Sequence, residues 1–203
     1  RTATKAMGGK SAQYGYRYGS KLYEVNSDFF DEDNVTFDYG GDGRRRLLEV
    51  GGVTMGFRWD ADWNVINEMD DNMALARTYF HAPQGAGRAA LGHVDGANPA
   101  SGAYRYYTHD HLGSTRGVYD HARTRLARFD YTPYGETYHA ENPGITTRQF
   151  TGHDWSPQTG LYFAPYRYYN PAASRWLTRD PLGMVDGPNV YAYVMGNPTN
   201  TIQ

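Results

Sequence analysis

Cysteine is absent from the 203 residues, which excludes disulfides, thiolate catalysis and cysteine-ligated zinc together. The same absence suits a reducing or an oxidising compartment, so it does not localise the protein. No apolar run is long enough to span a bilayer, and no signal-peptide pattern occurs. An excess of positive charge is missing too. The formal net charge is −2 with Lys and Arg spread along the chain, which argues against a nucleic-acid partner. The one basic cluster, Arg44-Arg45-Arg46, reads as a solvated strand end or turn and not as a phosphate site. Leu and Ile are scarce, which disfavours a thick aliphatic core. The first residue is Arg1, read here as the sign of a processed or excised piece, and the length suits one domain or one unit of a larger assembly.

What the chain has instead is 19 Tyr and 24 Gly at a mean hydropathy of −0.75. Tyr favours strands, and its ring is apolar along the body and polar at the tip. Many Tyr and Gly with few aliphatics therefore point to broad sheets with half-wet faces. Low hydropathy alone would suit disorder, but an aromatic content of 15% opposes that.

Alternating runs broken by turn residues recur along the chain. In "VTFDYGGDGRRRLLEV" (35–50) the turn is Gly-Gly-Asp-Gly, and in "GFRWDADWNVINEM" (56–69) the bend is Asp60-Ala61-Asp62. "YRYYTHDHLGSTRGVYD" (104–120) turns around His111-Leu112-Gly113-Ser114, "LARFDYTPYGETY" (126–138) at Thr132-Pro133-Tyr134-Gly135, and "GLYFAPYRYYNPAASRWLTRD" (160–180) at Asn170-Pro171-Ala172-Ala173. Gly supplies positive φ, Asn and Asp bond locally, and Pro presets φ, so each reads as a β-hairpin. "EMDDNMALARTYF" (68–80) could hold a short helix, but the alternation of Leu75, Arg77 and Tyr79 favours a strand. "QGAGRAALGHVDGANPASGA" (84–103) reads as a long Gly/Ala-rich loop.

The hairpins also resemble one another. Aromatic-Asp steps recur at Phe37-Asp38, Trp59-Asp60, Tyr119-Asp120 and Phe129-Asp130; Asp38 to Asp60 is 22 residues and Asp110 to Asp130 is 20. A period of this length marks repeats in which each hairpin buries little alone and stacks on its neighbours.

These aromatic-Asp hairpins resemble the tyrosine-aspartate (YD) repeats of the rearrangement-hotspot (Rhs) family. "YYTHDHLGSTRGVYD" (106–120) and "FDYTPYGE" (129–136) are similar to its characteristic segments. "QFTGHDWSPQTGLYFAPYRYYNPAASRWLTRDPLG" (149–183) with "NVYAYVMGNP" (189–198) resembles its C-terminal associated core. The resemblance covers most of residues 35–203 and is loose over residues 1–34. It implies an all-β fold of stacked antiparallel hairpins, residues 1–148 a YD-repeat strip and residues 149–203 the associated core. In such proteins the strip winds into a hollow β-shell and the core spirals inward to plug one end. Bacterial members enclose a toxic C-terminal segment or a partner's toxin; the animal teneurins use a similar shell in adhesion.

The implied reading is a structural shell or scaffold, extracellular or at the cell surface, without a cofactor or metal. Its expected partners are other YD repeats of a parent chain or further copies of itself as a homo-oligomer, with an enclosed polypeptide conceivable. A fragment of an autoproteolytic toxin-encapsulating protein is the first alternative, and a glycan-binding adhesion module the second.

In toxin-bearing relatives the core is an aspartic autoprotease, whose two carboxylates must lie close enough to share one proton. Asp180 in "RDPLG" matches the first of them. The second should follow the turn at Asn197-Pro198, where counting lands on Gln203; Asp186 is a weak substitute. A carboxylate bonding the turn amides around Leu182-Gly183 is the preferred role for Asp180. His109, Asp110, His111, His153 and Asp154 offer metal-ligand chemistry, but His109 and His111 would point to opposite faces of a strand, so hairpin-rim roles are expected. "GSTRG" (113–117) lacks the frame of a nucleophile elbow. Arg beside aromatics, in "YRYY" at 104–107 and 166–169, reads as cation–π ladders. Asn34-Val35-Thr36 has the form of a glycosylation sequon.

Overall fold

The computed structural model describes residues 2–7, 10–17, 21–28, 34–82, 89–185 and 187–200. Thirteen antiparallel strands lie side by side in strict chain order: β1 (Thr2–Met7), β2 (Lys10–Arg17), β3 (Lys21–Ser27), β4 (Asn34–Tyr39), β5 (Arg45–Val50), β6 (Val53–Trp59), β7 (Val65–Met69), β8 (Leu75–His81), β9 (Ala90–Asp95), β10 (Ala103–His109), β11 (Thr115–Tyr119), β12 (Arg125–Tyr131) and β13 (Thr137–Glu141). A second sheet of four strands follows: β14 (Asp154–Ser156), β15 (Leu161–Ala164), β16 (Arg167–Asn170) and β17 (Arg175–Trp176). Among the described residues no helix is long and apolar enough to cross a membrane.

The strip is held in register by its turns. Those beginning at Asp60, Asp70, Asp110 and Asp120 share one device: the first residue's N–H bonds the fifth residue's carbonyl, while its own carboxylate accepts the fifth residue's N–H at 2.8–3.0 Å. The fourth position lies in the left-handed region, as Trp63, Met73, Gly113 and Arg123 all show. The Asp thus replaces a backbone acceptor at the point where the chain reverses, the local role for which Asx turns are suited. Gly40 and Thr132 begin equivalent turns. The aromatic-Asp steps therefore belong to two registers. Asp60 and Asp120 cap turns, whereas Asp38 and Asp130 lie two residues earlier, inside β4 and β12.

The Gly/Ala-rich stretch 84–103, expected as a long loop, contains β9, which pairs with β8 and β10. Its small residues are there for space. A Cβ on Gly92 would meet the Arg105 carbonyl at 2.1 Å and the Phe80 ring at 2.4 Å. Tight lateral packing accounts for the glycine at this position.

One face of the strip is apolar: Val35, Phe37, Leu48, Phe57, Val118 and Phe129 are buried there against Leu161, Phe163 and Tyr168 of the small sheet. The opposite face of the small sheet, with Tyr162, Tyr169 and Trp176, is covered by Phe150, Tyr193 and Val194. Burial on both faces explains why all four residues of β15 are buried. At period two, burying side chains of this size on either side stabilises by about 1.5–3 kcal/mol each.

Candidate functional site

Asp180 lies just past β17, in a turn tied back to the small sheet. Its N–H donates to the Val190 carbonyl at 2.8 Å, and its carbonyl accepts from Gly183, whose φ is +77°. Oδ1 accepts the Leu182 N–H at 2.8 Å, and Oδ2 lies 2.7 Å from Nη1 of Arg167 on β16. The Arg167 guanidinium in turn stacks over Trp176 at 4.2 Å. Both carboxylate oxygens are therefore engaged, one by a cation and one by an amide. Among the described residues no second carboxylate pairs with Asp180. Asp186 and Gln203 lie outside the described residues.

The Arg44-Arg45-Arg46 run is not a solvated turn as a whole. Arg44 pairs with Asp42 at 2.9 Å and stacks on Trp63 at 4.4 Å, and Arg46 is exposed. Arg45, only 1% exposed, points inward between the rings of Phe57 and Phe163, 4.3 Å from each. It donates to Asp154 of β14. Alternation along β5 brings the middle arginine to the inner face, where only a partner from the other sheet could hold it.

Asp154 is the centre of a buried charge cluster. Arg148 reaches its other oxygen at 3.8 Å. Burial works to raise the Asp154 carboxyl, but Arg148 and Arg45 outweigh it and hold the pKa below the usual range. The cluster continues across the strip. Tyr79 donates to Glu68 at 2.7 Å, Arg77 bridges Glu68 and Asp95 at 3.3 and 3.2 Å, and His93 lies 3.2 Å from Asp95. His93 also bonds the Tyr107 hydroxyl, which bonds Thr146 at 2.7 Å. Burial, with Arg77 nearby, pushes His93 down to about 3; burial and Arg148 push His153 down to about 4. Both imidazoles are neutral at neutral pH.

The residues weighed and set aside as metal ligands have other partners. Asp110 caps its turn, His111 Nε2 contacts the Thr199 carbonyl at 2.8 Å, and Asp154 is ion-paired. Among the described residues no group of His, Asp and Glu is arranged to hold a metal. Ser114 is fully buried and accepts the Thr151 N–H at 3.1 Å. Arg167 forms the expected cation–π contact, while Arg105 lies 3.6 Å from Asp95. Asn34 is exposed at the start of β4. The inward-facing Glu68, Arg77, His93 and Asp95 were not anticipated. Their signal was charge at the buried positions of otherwise alternating strands.

Both the sequence and the fold have known relatives. The teneurin YD-shell family model matches residues 92–188. Over these residues the chain resembles the Rhs/YD-repeat family. The toxin protein Tse5 of Pseudomonas aeruginosa is 37% identical over 105 residues, covering 50% of this chain and 8% of that protein. The toxin subunit YenC2 of Yersinia entomophaga is 37% identical over 99 residues, covering 45% and 10%. The tRNA3(Ser)-specific nuclease WapA of Bacillus spizizenii is 25% identical over 197 residues, covering 93% and 8%. This YD-repeat chain thus spans a tenth or less of these relatives. The solved structure of TcdB2-TccC3-Cdc42 superposes with a TM-score of 0.71 over 97% of the chain and 10% of the other, at 24% identity. That likeness is one of fold: an all-β YD shell. The chain thus resembles a structural shell module in sequence over residues 92–188 and in fold over most of its length.

Proposed function

We propose that residues 1–148 are a strip of shell wall and residues 149–203 the core that closes it, acting as a non-catalytic scaffold outside the cell or at its surface. One observation carries the reading: the inner face of an unbroken thirteen-strand sheet is filled by the small sheet that follows it in sequence. A wall of this kind encloses space because its hairpins continue sideways. The outer edges of β1 and β13 are the places for further repeats of a parent chain, or for other copies of this one. The enclosed volume would hold a polypeptide, as the toxin names of the relatives suggest.

Asp180 fits this reading as a turn anchor, since Arg167 and Leu182 occupy its two oxygens. Electron microscopy and light scattering on the chain extended by its flanking sequence test the proposal. A closed, hollow particle is expected; an open strip with no wall-to-wall pairing overturns the assembly. In the same extended chain, Asp180→Asn should leave the size of the polypeptide unchanged on a denaturing gel. A fragment made by the parent protein and lost in that variant would assign Asp180 to catalysis instead.

A further inference from the structure

A cavity of about 280 Å³ lies in the seam between the two sheets. It sits near the small end of ligand pockets, which run roughly 300–1,000 Å³. Its walls are largely aromatic, with Trp59 and Trp63 on the strip side and Phe163, Tyr166 and Trp176 on the side of the small sheet. Tyr166 is 57% exposed and its ring stands 4.8 Å from that of Trp63, marking the open side.

One wall residue is out of keeping with the rest. Arg148 lines the cavity with its side chain only 9% exposed, yet its Nε and Nη2 have no hydrogen-bond partner among the described residues. Of the carboxylates near it, Asp154 is engaged at closer range by Arg45, and Glu68 is engaged by Tyr79 and Arg77. Arg45 and Arg148 thus share Asp154, and Arg148 stands at the cavity wall. Buried guanidinium donors left unmade are costly, and the fork geometry of Arg matches a carboxylate better than any neutral acceptor. The other cation lining the cavity, Arg167, already has Asp180 at 2.7 Å.

We propose that this seam cavity binds a small organic carboxylate with a flat apolar body, its carboxylate on Arg148 and its body between the aromatic walls. The volume admits one ring with a short side chain. The inference stands apart from the shell reading, because it concerns a site complete within the described residues.

The test uses 3-phenylpropionate and its neutral counterpart 3-phenylpropan-1-ol, titrated into the whole chain by calorimetry with tryptophan fluorescence as a second readout. The acid is expected to bind at least about tenfold more tightly than the alcohol, the difference one charge-assisted contact supplies. Arg148→Met should abolish that preference in protein whose circular dichroism is unchanged. Tyr166→Ala, at an exposed position where folding is not at stake, should weaken acid and alcohol alike. Equal affinities in the unaltered chain, no binding of either compound, or binding indifferent to Tyr166→Ala would each overturn the proposal. So would a preference for the acid that survives in folded Arg148→Met.

Discussion

Arg45 of β5 and Asp154 of β14 form an ion pair across the seam between the sheets, with side-chain exposures of 1% and 5%. They are 109 residues apart in sequence. Removing Asp154 leaves the Arg45 guanidinium buried and unmatched, and removing Arg45 leaves Asp154 only the longer contact to Arg148. Asp154→Asn or Arg45→Met should therefore destabilise the chain by about 3–5 kcal/mol in denaturant titrations. The double variant Arg45→Met with Asp154→Leu should recover part of that loss, since only Arg148 then remains without this carboxylate. A double variant as unstable as the sum of its parts would contradict the pairing.

Acid should weaken the fold in two stages. His93 and His153 are held at about 3 and about 4 in the folded chain, below the ordinary imidazole value of about 6.5. The unfolded chain binds these protons first, so their contribution is complete above roughly pH 6.5 and declines as pH falls toward the folded values. Asp154, also held low, contributes above its unfolded value of about 3.9 and is lost below it. Unfolding free energy measured from pH 7 to 4 should fall by up to about 1.4 kcal/mol per unit for each histidine. His153→Gln should flatten that slope; a slope unchanged by the substitution would assign it to other groups.

Gly135 marks where the hairpin between β12 and β13 docks on the closure. Its φ is +86°, and a Cβ would lie 2.5 Å from the Phe150 ring. Gly135→Ala combines left-handed strain with a clash and should cost about 2–3 kcal/mol of thermal or chemical stability. Stability within experimental error of the parent would show that the ring shifts freely.

The reverse substitution should help elsewhere. Arg123 holds the same fourth turn position with φ of 66° in an exposed hairpin. Arg123→Gly removes the left-handed penalty and should stabilise by about 0.5–1 kcal/mol. Removal of the turn's cap by Asp120→Ala should cost about 1 kcal/mol, because the Thr124 amide loses its acceptor. Differential scanning calorimetry distinguishes the two signs.

The hairpins were readable in sequence because their instructions are local. Asp, Gly and Asn act on amides two to four residues away, as Asp110 does on Leu112 and Ser114. The strand β9 was not readable, since Gly92 is small for the sake of Phe80 and Arg105, which neither neighbour reveals. Arg45 was misread for the same reason. Nothing near it in sequence announces Asp154, so a charge run looked like a surface feature. At Asp180, the Leu182 amide is a contact over two residues, of the kind turn chemistry exposes. Arg167 and the half-shared Arg148 depend on how the small sheet lies against the strip.

The strict chain order of the thirteen strands bears on how the molecule is made. Each strand, as it leaves the ribosome, meets a partner that has already emerged, so the wall can be laid down in the direction of synthesis without waiting for distant sequence. The small sheet is translated after the strip, and its Asp154 must find an arginine made 109 residues earlier. Closure of the strip by the small sheet is thereby the last step, waiting on the end of synthesis and not on its beginning.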